Sequence, residues 1–163
     1  MLQKTKALTL TFSNASTYLL AVLFVLGNIV LPQLCHLIPQ GGLIFQPIYV
    51  FTLIAACCLG WRVALLTAIA SPLANALLFA MPTGVMLPIV LIKSVVLSIS
   101  ASKAMSCRND LQKPMLILAI VGTWMVGICA EWLILGNAPS LFISMPGVAL
   151  QMALALWITS TKH

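Results

Sequence analysis

Two residues stand where a reaction or a ligand could use a charge and lipid could not. Lys93 lies inside the apolar run LPIVLIKSVVLSIS, and Glu131 lies near the end of PMLILAIVGTWMVGICAEW. A lysine at the centre of a bilayer costs at least ~2.5 kcal/mol, so an ionisable residue there faces a cavity or a partner. Two chemistries are open to this pair. Lys93 can reach Glu131 and form an ion pair that is purely structural. Alternatively, both can line one pocket, with Lys93 holding an acidic group of a polar ligand and Glu131 a donor group.

Further polar and aromatic residues gather on the same side of the sequence map. His36 and Gln33 follow the first apolar run, Gln40 and Gln46 flank a glycine turn, and Asn75 follows Pro72. Trp124 and Trp132 lie on the run that carries Glu131, and Asn137 follows it. Apolar and aromatic walls with a few directed polar groups are what a small-molecule pocket needs. Lys93, Glu131, Trp132, His36, Gln46 and Asn75 are therefore the candidate ligand-binding residues. Taken singly, an aromatic or histidine at such a position is more simply an interfacial belt residue.

Other chemistries lack their residues. The chain has no Walker A motif, no HExxH and no GxSxG, so no ATP hydrolysis, metalloprotease or serine hydrolase activity is expected. The five cysteines form no CxxC pair and read as small buried residues, with no metal site, cofactor or disulfide framework expected.

The elements that position these residues follow from composition. Of 163 residues, 62% are hydrophobic and 6% charged. A soluble domain is roughly 45–50% apolar and about 25% charged. The mean hydropathy of +1.14 agrees. Lipid is the solvent for most of this surface, which excludes a cytosolic enzyme, a secreted disulfide module, a disordered chain and a nucleic-acid-binding domain. About 20 apolar residues cross a bilayer. The continuous apolar runs, broken by PQGG, MPTG, SCRNDLQKP and GNAP, predict six helical spans over about 13–37, 44–59, 61–79, 85–104, 115–135 and 140–159. The fold class is an all-α integral membrane protein, a six-transmembrane-helix bundle in one domain over 1–163. The second span is short, and Pro72 is expected to kink the third.

Basic residues orient the bundle. With both termini cytoplasmic, Lys4, Lys6, Arg62, Lys103, Arg108, Lys113 and Lys162 all fall inside, and the outer segments 38–44, 80–84 and 136–139 carry no Lys or Arg. The net charge of +6 is then a matter of topology. Small residues recur at i, i+4 spacing: Ser13, Thr17 and Ala21 in span one, Ala64 and Ala68 in span three, Ser94, Ser98 and Ser102 in span four. Such faces allow close helix approach, within the bundle or onto another membrane subunit.

The stretch IPQGGLIFQPIYVFTLIAACCLGWRVALLTAIASPLANALLFAMPTGVMLP resembles the substrate-binding S component of energy-coupling factor (ECF) vitamin transporters. The matching features are Pro47 before span two, Gly60 to Arg62 after it, the segment Ser71 to Leu73 and the turn Ala80 to Pro82. Length, six spans and inward termini are similar too. The resemblance implies a chain that binds a vitamin or related micronutrient from outside. It would dock on a transmembrane coupling subunit attached to two ATP-binding subunits, in the inner membrane of a bacterial cell. It also implies docking through a small-residue face of span one, here Ser13, Thr17 and Ala21. Where relatives carry an acid in span four this chain has Lys93, which on charge grounds suits an anionic substrate such as a carboxylate. A small membrane scaffold and an independent permease are the rival expectations.

Overall fold

The computed structural model describes residues 11–82 and 84–161, and all elements within it are helical. They are α1 (Ala15–Cys35), α2 (Gly41–Phe45), a 3-10 turn (Pro47–Tyr49), α3 (Val50–Cys58), α4 (Trp61–Phe79), α5 (Met86–Met105), α6 (Asn109–Leu135), α7 (Ser140–Ile143) and α8 (Met145–Thr161). Six helical segments are long and apolar enough to cross a membrane, counting α2 to α3 and α7 to α8 as one span each. Helices are the natural answer to lipid, because each closes its own backbone hydrogen bonds. The chain is thus read as a multi-pass membrane protein.

Short connections make successive spans antiparallel. Arg62, Lys103, Arg108 and Lys113 fall at one end, called here the basic end. The connections around residues 36–46, 80–85 and 136–140 form the other, the pocket end. Lys4, Lys6, Lys162 and Thr83 lie outside the described residues. Helix α5 packs along α6 and α4, α1 along α4, and α3 sits against both α4 and α5. The core between them is rich in small side chains, with Ala55, Ala64, Ala101, Leu53, Val63 and Leu97 wholly buried. Leu19, Leu23, Leu77, Leu133 and Phe142 point outward, as lipid-facing residues do.

The expected small-residue faces pack inside this bundle. Ala64, Ala68, Ser94, Ser98 and Ser102 are buried. So are Thr17 and Ala21, and the Thr17 hydroxyl donates to the Thr11 carbonyl at 2.7 Å. This corrects the docking surface expected on α1. Of Ser13, Thr17 and Ala21 only Ser13 is exposed, because the smallest side chains are spent on bringing α1 against its neighbours.

Asn28, buried in the middle of α1, ties three spans together. Its amide donates to Thr52 Oγ1 at 3.2 Å and Ser71 Oγ at 3.1 Å, and its oxygen accepts from the Phe51 N–H at 3.3 Å. The N–H groups at a helix start have no partner in their own helix, so Asn28 serves as a cap for α3 from a neighbouring span. Four residues on, Pro32 has no N–H to offer the Asn28 carbonyl. Asn75 Nδ2 donates to that carbonyl instead, at 2.9 Å. Beside it, a Cβ on Gly27 would meet the Phe51 ring at 2.6 Å, so glycine permits the close crossing of α1 and α3.

Three boundaries differ from expectation. The second span is broken: Gln46 adopts a left-handed backbone (φ 49°) and Pro47 restarts the helix after it. The sixth is interrupted between Ile143 and Met145. Helix α6 begins at Asn109, six residues before the apolar run. Asp110 in its first turn suits the positive end of the helix dipole, and Gln112 Nε2 donates to the Met105 and Cys107 carbonyls, tying α6 to the end of α5. The expected third span matches α4, and Pro72 is accommodated inside the unbroken helix.

Candidate functional site

At the pocket end the described residues enclose two adjoining cavities. The wider one holds about 310 Å³ and is mostly apolar, with walls from the end of α1, the segment 40–48, Asn75, and Met81 to Val90. The inner one holds about 70 Å³ and is lined by Gln46, Tyr49, Ile89, Lys93, Glu131 and Ser140 among others. Gly42, Leu43, Ile48, Met86 and Val90 border both. The arrangement is an apolar antechamber leading to a small chamber whose mostly apolar walls carry the two charges.

Helix α5 brings Lys93 to the inner chamber from the side, and α6 brings Glu131. Gly127 and Glu131 are four residues apart and so share the face of α6 that meets α5. The stem of Lys93 lies across Gly127: a Cβ there would sit 2.6 Å from Lys93 Cε. The residue is 4% exposed, and its ammonium sits 5.2 Å from the centre of the Tyr49 ring, a cation–π contact. No hydrogen bond or ion pair within 4.0 Å reaches Lys93 Nζ from the described residues.

Glu131 is 2% exposed and answered elsewhere. Its Oε1 accepts from Ser140 Oγ at 2.5 Å and its Oε2 from the Ser140 N–H at 3.1 Å. Ser144 Oγ donates to the Ser140 carbonyl at 2.6 Å and accepts from Trp124 Nε1 at 3.0 Å. The carboxylate thereby pins α7 to α6. The direct Lys93–Glu131 ion pair is absent, and the two charges line one cavity separately.

Gln46 belongs to the inner chamber, where its Oε1 accepts from Gln151 Nε2 at 3.2 Å. His36 and Asn75 line the antechamber. The His36 ring lies against Gly42, and Asn75 is committed to the Asn28 and Ser71 carbonyls. Trp132 is not part of either cavity. It is 60% exposed, because its neighbour Glu131 takes the inward face of α6 and successive helical residues point about 100° apart. Of the polar residues expected on the outer half, Gln33 and Gln40 line the antechamber, and Trp124 serves the serine network.

Sequence reasoning missed Tyr49, Ser140, Gly127 and Asn28. Asn28 had a signal: a lone amide inside YLLAVLFVLGNIVL, four residues before a proline. The other three are ordinary residues whose role is set by what they face. Comparison with known proteins gives no match for this chain: no family model, no curated protein and no solved structure.

Proposed function

We propose that this chain is the substrate-binding subunit of an ECF-type importer. It captures a vitamin or related micronutrient and passes it to a separate transmembrane coupling subunit with two ATP-binding subunits. The observation that carries this reading is the inner chamber, where Lys93, Gln46, Tyr49 and Glu131 meet beneath an apolar antechamber. A pocket of about 310 Å³ is at the small end of the range for bound organic molecules. By the positive-inside rule the pocket end faces outward and the basic end faces the cytoplasm of a cell with this protein in its inner membrane. The ECF-like segment of the sequence points the same way. The reading gives the chamber a binding role, with the Ser140 hydroxyl committed to the Glu131 carboxylate.

The test is thermal stabilisation of the purified protein in lipid nanodiscs by a panel of vitamins. Nanomolar binding of one member supports the reading. A flat response across the panel contradicts it and favours a membrane scaffold.

A further inference from the structure

We propose that the ligand is a monocarboxylate with a largely apolar body, bound carboxylate first, with the body in the antechamber. This rests on the solute-binding reading above and narrows it. Three residues that line the inner chamber carry donors with no acceptor among the described residues: Lys93 Nζ, Tyr49 Oη and the Gln46 amide nitrogen. Lys93, Tyr49 and Gln46 are 4%, 4% and 6% exposed, yet their donor atoms are not sealed in: among the described residues the one fully enclosed side-chain polar atom without a partner is Ser94 Oγ.

Donors that have no protein acceptor and keep access to a narrow chamber are open to the acceptors of a guest. Three such donors around one cavity of about 70 Å³ suit a guest that brings acceptors. A carboxylate has two oxygens and about four lone-pair sites, and its charge complements the ammonium. Glu131 does not compete for this role. Ser140 donates to both of its oxygens, while the Lys93 ammonium faces the Tyr49 ring and meets Glu131 only as a charge beyond ion-pair distance. The antechamber offers Leu43, Ile48, Met86 and Val90, which suit carbon rather than a second charged group.

The experiment uses acid–amide pairs on the full chain in nanodiscs: biotin with biotinamide, lipoate with lipoamide, and nicotinate with nicotinamide. Riboflavin and thiamine serve as probes without a carboxylate. One acid is expected to bind at least tenfold more tightly than its amide, and Lys93→Met to erase that difference. Tyr49→Phe, which keeps the ring and removes the hydroxyl alone, is expected to weaken the acid severalfold and the amide less. It carries the test where Lys93→Met does not fold. If an amide binds as well as its acid, the carboxylate inference fails. The same holds if riboflavin or thiamine is the tight ligand and is insensitive to Lys93→Met; the solute-binding reading then survives. Silence from every probe overturns both.

Discussion

Lys93 is held by its surroundings more than by a partner. Gly127 leaves the trough in which its stem lies, and the Tyr49 ring faces its ammonium. Gly127→Ala should therefore act on binding more than on folding. The new methyl group displaces a flexible stem, so melting should shift little while ligand affinity falls about tenfold, about 1.4 kcal/mol. Paired melting and titration curves check this, and unchanged affinity would mean that the stem position is immaterial. At this scale the sequence was half legible. Lys93 and Glu131 declared themselves because a charge in an apolar run has few explanations. Tyr49, Ser140 and Gly127 did not, since each is common in membrane helices and gains its role only from the residue opposite. Trp132 misled for the reverse reason: it neighbours Glu131 in sequence but faces the other way.

Among the elements, α1, α3 and α4 are joined by an exchange between Pro32 and Asn75. Proline removes the donor that the Asn28 carbonyl would have had, and Asn75 supplies one from another span. Asn75→Ala leaves that carbonyl buried without its partner and should cost about 1–3 kcal/mol. Pro32→Ala restores the helical N–H, so the double variant should lose less than the sum of the two single variants, by at least about 0.5 kcal/mol. Thermal or denaturant unfolding in matched nanodiscs measures the cycle; strict additivity would contradict the exchange. Helix positions were readable because lipid forces long continuous apolar runs, and the third span matches α4 end to end. The breaks at Gln46 and Ser144 were hidden, because α2 to α3 and α7 to α8 keep their apolar character through the bend.

For the whole molecule, charge placement sets the expected orientation, with the pocket end outward. A membrane-impermeant maleimide applied to intact cells should label Asn137→Cys in an otherwise cysteine-free chain. It should not label a chain that keeps only Cys107, beside Arg108 at the basic end. The reverse pattern would turn the pocket towards the cytoplasm and remove the case for uptake from outside. A coupling partner, in this account, meets a surface other than the small-residue face of α1, since Thr17 and Ala21 are already enclosed by the bundle. The central claim is that the chamber around Lys93 binds a small solute. Its most direct test is equilibrium binding of the tightest panel ligand to the parent protein and to Lys93→Ala in the same nanodiscs. Lys93→Ala is expected to lose binding by at least a hundredfold while the ligand-free protein stays folded. Equal affinity in the two proteins would place the site elsewhere.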